Sequence, residues 1–253
     1  MTDTEDMRRA LELAGRGVGW TSPNPMVGAV VVKDGRVIGE GFHERCGEAH
    51  AERNALAHCT ESPAGATMYV TLEPCCHQGR QPPCTDAILE AGIARVVVGS
   101  DDPNPLVAGK GIDILRRAGV EVETGVLKAE CDALNYVFFH YITTGLPYVV
   151  MKYAMTLDGK IATCSGKSKW ITGEAAREQA HRDRSRYRAI MAGVGTVLAD
   201  DPMLNCRIED GRDPVRVICD SHLRTPLTSR IVATAREIPT ILATVSADKE
   251  AAA

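Results

Sequence analysis

Apolar residues recur along this chain at two periods, and the period changes mark its elements. Met7, Leu11 and Ala14 share one face of a predicted helix over residues 4–15, closed by a glycine. The apolar run 27–32, an Asp34-Gly35 turn and Val37-Ile38 predict a β-hairpin. Beyond it the pattern alternates. Helices are expected over 49–58, 83–90 (opened by Pro83), 109–118 and 128–141, and strands over 67–72, 94–99 and 120–124. Strands alternating with helices predict a three-layer α/β/α sheet domain.

Thr143-Thr-Gly-Leu-Pro147 reads as a linker, after which the pattern restarts. A strand is expected over 148–155, then a helix over 174–188 carrying Arg177, Arg182, Arg184, Arg186 and Arg188. Strands over 189–193, 214–219 and 239–245 follow. The expected domains are 1–144 and 145–253, the second with an α/β sheet short of strands. No internal repeat or low-complexity tract interrupts either.

Charge and composition narrow the function classes. A net charge of −4 and a pI near 6.0 argue against general binding to nucleic acid or anionic membranes. Aromatic residues are only 4%, too few for base-stacking platforms. No apolar run approaches the ~18 residues of a membrane span, and the acidic start MTDTEDMRRA does not read as a signal peptide. A cytoplasmic protein is expected. In a reducing compartment its nine cysteines are buried thiols or metal ligands, and spacing must decide which.

The sharpest signal is His50-Ala-Glu52, followed by Thr71-Leu-Glu-Pro-Cys75 and then Cys84 at the start of an expected helix. Zinc takes imidazole and thiolate ligands, and a catalytic site keeps three of them with one position open to water. Bound water ionises near neutrality, and a carboxylate two residues from the histidine can move its protons without ligating. Helix N-termini at Ala49 and Pro83 would favour thiolate through their dipoles. Zinc nucleobase deaminases carry H-x-E with P-C-x-x-C. Here eight residues, Cys76-His-Gln-Gly-Arg-Gln-Pro-Pro83, separate the two cysteines instead. Cys76 and His77 are rival ligands, although adjacent Cys75 and Cys76 rarely share one tetrahedral site, so Cys76 is expected to pack.

Together, Ser22-Pro-Asn-Pro-Met-Val-Gly28, His50-Ala-Glu52, Thr71-Leu-Glu-Pro-Cys75, Gly79-Arg-Gln-Pro-Pro-Cys84 and Asp102-Pro-Asn-Pro105 resemble the riboflavin-biosynthesis pyrimidine deaminase/reductase family, whose own variant is the longer cysteine spacing. The resemblance continues in Lys152-Tyr-Ala-Met-Thr-Leu-Asp-Gly159, Ser168-Lys-Trp-Ile-Thr172 and Gly195-Thr-Val-Leu-Ala-Asp-Asp-Pro202, nearly the whole chain. It implies a cytidine-deaminase-like α/β/α domain followed by a dihydrofolate-reductase-like α/β domain, here partial. It implies deamination of 2,5-diamino-6-(phosphoribosylamino)pyrimidin-4-one, with His50, Cys75 and Cys84 on zinc and Glu52 as proton shuttle. Asn24 and His43 would contact the pyrimidine, and Arg80 a phosphate.

By the same resemblance, the second activity reduces the product's ribosyl group to ribityl with NADPH. Ala154, Trp170, Thr196 and Asp200 would line the cofactor site, with Lys152, Ser168, Arg184, Leu204 and Arg207 on the substrate. Arg184 and Arg207 suit a phosphate as fork donors. The reductase domain of this family runs about twice as far beyond the linker, through a glycine-rich cofactor loop and an acidic substrate residue, and neither occurs before Ala253. The tail 246–253 therefore reads as an interrupted end, of a fragment or of a vestigial domain, and poor reduction is expected.

Two other readings compete. A deaminase acting on transfer RNA shares the His-x-Glu chemistry but calls for a basic groove and the shorter cysteine spacing. A non-catalytic, zinc-stabilised module requires a fourth ligand from His77 or Cys76. The expected partner is a small-molecule phosphoribosylaminopyrimidine, with no nucleic acid or membrane, and homo-oligomerisation is left open.

Overall fold

The computed structural model describes residues 2–245, so the interrupted-end reading of 246–253 lies outside the described residues. The chain divides into two compact units between Val150 and Met151. The first runs α1 (Asp3–Gly15), β1 (Gly28–Lys33), β2 (Arg36–Phe42), α2 (Ala51–Ala57), β3 (Thr67–Leu72), α3 (Cys84–Glu90), β4 (Arg95–Ser100), α4 (Lys110–Arg117), β5 (Glu121–Thr124), α5 (Lys128–Leu134) and α6 (Tyr136–Thr144).

Its five strands lie in the order β2-β1-β3-β4-β5. The β1–β2 and β1–β3 pairs are antiparallel, and β3–β4 and β4–β5 are parallel. The hairpin closes through Asp34 and Gly35, both at positive φ, as a tight two-residue turn between right-twisted strands requires. The middle strands read as unbroken apolar runs because both faces are covered. Ala29, Val31, Met68, Val70, Val96 and Val98 point into one core with Ala55, Ile88 and Leu115 of α2, α3 and α4. Val30, Tyr69 and Val97 point into the other with Met7, Ala10 and Leu13 of α1 and Cys131 of α5. These are the three layers expected.

Close approach of α2 to the sheet depends on glycine. A Cβ at Gly41 would stand 2.3 Å from the Ala55 nitrogen, and one at Gly39 2.4 Å from the Ala55 oxygen. This seats α2 over the hairpin.

The helix expected over 128–141 breaks at Asn135, which is buried and turned away from helical geometry. Its side chain instead accepts from the Met26 N–H at 2.8 Å and donates to the Met26 carbonyl at 2.8 Å, fixing the segment before β1. The second piece, α6, runs on to Thr144 and takes in the first residues read as linker. The helix expected from Ala49 begins at Ala51 with His50 as its N-cap residue. Likewise Pro83 caps α3, whose first residue is Cys84.

The second unit contains α7 (Glu174–Arg186), β6 (Ala189–Gly193), α8 (Val194–Asp200), β7 (Val215–Cys219), α9 (Arg230–Ala233) and β8 (Thr240–Ala243), with a parallel sheet ordered β6-β7-β8. Val194, Val197, Leu204, Ile218 and Ile231 form its core. Arg216 of β7 is wholly buried among neutral acceptors: Thr240 Oγ1 (2.9 Å), Thr234 Oγ1 (2.9 Å) and the carbonyls of Met203 (3.1 Å), Ile231 (2.9 Å) and Ile238 (3.0 Å).

The strand expected over 148–155 does not form. Its apolar run would suit a sheet, but a strand exists only through a hydrogen-bonded neighbour, and none of the described strands takes it. Val149 and Met151 are exposed instead. Arg188 also falls outside the basic helix, which ends at Arg186.

Candidate metal centre

Three elements converge on one point in the first unit. His50 caps α2, Cys75 follows β3 after the Glu73-Pro74 step, and Cys84 opens α3. Their ligand atoms all lie within 4.8 Å of one another, and the Cys75 and Cys84 sulfurs each lie 3.4 Å from His50 Nδ1. The turn is tied at its base. The Cys84 N–H donates to the Cys75 carbonyl at 3.0 Å, and the same N–H lies 3.4 Å from Cys75 Sγ. One imidazole nitrogen and two thiols at this spacing fit zinc, whose borderline-soft character suits that donor set. Among the described residues no fourth group joins the cluster. Cys76 turns away, its thiol donating to the Leu106 carbonyl at 3.7 Å.

The electrostatics suit a cation. The hydrogen bond from Cys84, with those from His50 and the Cys84 amide, lowers the Cys75 thiol, while the same sharing raises Cys84. Glu52, one residue inside α2 and buried, is pushed up to about 7 by loss of hydration and by the adjoining Cys75. A carboxyl poised there can both take and give a proton near neutral pH.

The cluster opens into a cavity of about 380 Å³ lined by Asn24, His43, Glu52, His77, Arg80 and Asn104 among others. Asn24 Nδ2 lies 3.2 Å from His43 Nε2, and His43 Nδ1 lies 3.0 Å from the Ala49 carbonyl. The His43 ring stands edge-on to His50, centroids 5.4 Å apart. Burial lowers the His43 pKa and keeps the ring neutral. Thus Asn24, His43, Glu52 and Arg80 share one cavity with the His-Cys-Cys cluster.

Groups to which the sequence assigns no role shape this cavity. Glu73 is buried at the end of β3 and accepts from the N–H groups of Gly109 (2.9 Å), Gly111 (3.0 Å) and Ile112 (3.3 Å). A carboxylate at the start of α4 matches that helix's dipole and fixes the loop carrying Asp102 and Asn104. Gly111 is required there, since a Cβ would stand 2.2 Å from the Pro74 carbonyl. Asp102 is pushed up to about 6, mainly by burial. His77 has a buried, unpartnered Nδ1 on the cavity wall. The sequence signals for this wall are the Asp102-Pro-Asn-Pro105 motif, Glu73 inside Thr71-Leu-Glu-Pro-Cys75, and His77 beside the cysteines.

In the second unit the expected residues fall into neighbourhoods. Arg184 of α7 donates to the Asn205 carbonyl at 2.9 Å, beside buried Leu204, and Arg207 lies 2.9 Å from His181 Nε2. Thr196 and Asp200 lie one turn apart on α8, with Lys169 Nζ 3.8 Å from Asp200 Oδ1. Trp170, largely exposed, stacks under the Arg177 guanidinium at 4.6 Å. Ser168 is half-buried, while Lys152 (exposed) and Ala154 (half-buried) lie on the unpaired segment before α7.

Comparison with known proteins agrees with this division. The cytidine and deoxycytidylate deaminase zinc-binding region matches residues 1–100, and the RibD C-terminal domain matches residues 147–253. Riboflavin biosynthesis protein RibD of Actinobacillus pleuropneumoniae is 62% identical over 98% of this chain and 66% of its own length. That of Aquifex aeolicus is 50% identical over 98% of this chain and 70% of its own. A Thermotoga maritima diaminohydroxyphosphoribosylaminopyrimidine deaminase/5-amino-6-(5-phosphoribosylamino)uracil reductase structure superposes with a TM-score of 0.91 at 47% identity, covering 97% of this chain and 70% of that one. Acinetobacter baumannii RibD gives 0.91 at 46% identity, covering 99% and 71%. The chain thus spans about two thirds of the length of these relatives. No described helix is long and apolar enough to cross a membrane.

Proposed function

The chain belongs to the RibD family of riboflavin-biosynthesis proteins, and on that premise we propose that its first unit is a zinc-dependent hydrolytic deaminase of 2,5-diamino-6-(5-phosphoribosylamino)pyrimidin-4-one. The observation that carries this reading is a buried Glu52 beside a three-member His50–Cys75–Cys84 cluster on the floor of one cavity. His50 Nδ1 and the two thiolates hold the metal. When bound in such a three-ligand site, zinc supplies the Lewis acidity that brings a water's pKa down to about 7.

The chain's own groups do the rest. Glu52 takes a proton from the attacking water as its oxygen bonds to the amine-bearing ring carbon and the ring C=N π pair moves onto the ring nitrogen, to return when the amine leaves. It then delivers that proton to the departing nitrogen, so that the C–N bond breaks and ammonia leaves. The amide of Asn24, held by His43, orients the pyrimidine edge, and the cavity walls exclude bulk water. Arg80 at the rim meets the ribosyl phosphate as a bidentate donor. A cavity of about 380 Å³ and a net charge of −4 favour a small molecule over a polynucleotide.

The second unit takes part in the NADPH-dependent reduction of the ribosyl side chain. Arg184, Leu204 and Arg207, with Lys152 and Ser168, serve the substrate there, and Ala154, Trp170, Thr196 and Asp200 the cofactor. Incubating the zinc-loaded chain with the diaminopyrimidine phosphate, first without and then with NADPH, tests both. Ammonia is expected in the first arm. A zinc-loaded chain that releases none overturns the deaminase reading.

A further inference from the structure

Two of the zinc ligands, His50 and Cys84, come from helix starts whose relative position must be held by something besides the metal. Cys75 ties one side of α3 through its carbonyl, which accepts from the N–H groups of Cys84 and Thr85 at 3.0 and 3.2 Å. Arg53 ties the other. Its guanidinium, rising from the first turn of α2 next to Glu52, places Nη2 2.9 Å from the Pro83 carbonyl and Nε 3.4 Å from the Pro82 carbonyl. Proline lacks an N–H, so the Pro82-Pro83 segment can be fastened only through its carbonyls. Arg53 reaches both. The eight-residue insertion is stitched once more, by Gln81 Nε2 donating to the Gly47 carbonyl at 3.0 Å.

We propose that Arg53 is a positioning residue for the metal centre: it clamps the Pro82–Pro83 step that delivers Cys84 onto the α2 start that delivers His50 and Glu52. It touches neither metal nor substrate and acts through Cys84. A planar fork with several donors can grip two neighbouring carbonyls at once, which a lysine ammonium on a flexible stem does poorly. Outer groups that orient ligands typically change metal affinity by about 10- to 100-fold when removed. This assignment rests on the zinc reading above but not on the identity of the substrate.

The test follows zinc release from the loaded chain to an excess of a chromogenic chelator. Arg53→Met, which keeps the stem and removes the fork, is expected to release zinc about tenfold faster, and Arg53→Lys about threefold faster. Arg36→Met, which removes a surface charge paired with Glu61, is the control and stays at the wild-type rate. In the substrate arm Arg53→Met lowers kcat while KM stays within about twofold, because the clamp sets the catalytic centre rather than the binding rim. Wild-type release rates in both Arg53 variants would overturn the proposal. So would equal acceleration in Arg36→Met, which would make the effect one of net charge. Failure of deamination in the wild-type chain, with release still faster in Arg53→Met, would overturn the substrate reading and leave the clamp standing.

Discussion

Asn24 Nδ2 sits 3.2 Å from His43 Nε2, and that one contact sets the chemistry of the cavity wall. The Ala49 carbonyl, 3.0 Å from His43 Nδ1, can only accept. Hence Nδ1 carries the hydrogen, and Nε2 accepts from the Asn24 amide. The amide is thereby oriented, its oxygen left for a donor on the ring. Asn24→Ala is expected to cut kcat/KM about 10- to 100-fold, the range of one to two good hydrogen bonds, with zinc content unchanged. Steady-state kinetics beside metal analysis checks this, and an unaltered kcat/KM would remove Asn24 from the substrate's contacts.

Glu52→Gln is expected to keep zinc and lose turnover. Glutamine preserves shape and burial but cannot move a proton, and such transfer typically contributes about 10²- to 10⁴-fold. Single-turnover ammonia release from a zinc-loaded variant measures it directly.

Cys76→Ser should leave one zinc per chain, because its thiol faces the Leu106 carbonyl rather than the cluster. Cys84→Ser should lose most of the metal, since a buried member of the three-ligand set is replaced by a poor donor. Equal metal content in the two variants would contradict the ligand assignment.

Much of the first unit was legible in the sequence, because its signals are local. The apolar strands, the Asp34-Gly35 turn and the His50-Ala-Glu52 tripeptide each announce themselves within a few residues. What could not be read depends on distant partners. Glu73 looks like one more residue at a strand end until Gly109 and Gly111 arrive from 36 and 38 positions away. Asn135 sits inside a good helical pattern, and only the Met26 backbone, 109 residues earlier, diverts it. Arg53 carries no motif at all. Residues 148–155 show the converse, a correct strand pattern with no neighbouring strand to pair with among those described. Arg184 shows the same dependence on a distant partner, since its Nη1 donates to the Asn205 carbonyl 21 residues away.

The acid limb of stability should trace to Asp3. Its carboxylate receives two hydrogen bonds from Arg95, at 2.9 and 2.8 Å, and one from Tyr69 at 2.7 Å. Arg95 above all, then Tyr69, holds it down at about 2 from an ordinary 3.8. Because the folded value is the lower one, the stabilisation is fully present above about pH 4 and is lost as pH falls toward 2. The pair is partly exposed, so Asp3→Asn is expected to cost only about 1 kcal/mol at pH 7 and to flatten the acid limb. Denaturant midpoints at pH 7 and pH 3 check this; an equal loss at both would contradict it.

In the proposed function the His50–Cys75–Cys84 centre with Glu52 deaminates the diaminopyrimidine phosphate. The most direct measurement is ammonia released per chain from that substrate, by zinc-loaded protein, by protein stripped with a chelator, and by zinc-loaded Glu52→Gln. Multiple turnovers are expected in the first case, none in the second until zinc is restored, and at least a ~100-fold loss in the third. Ammonia release that survives both metal removal and Glu52→Gln, or that is absent from the zinc-loaded chain, would contradict it.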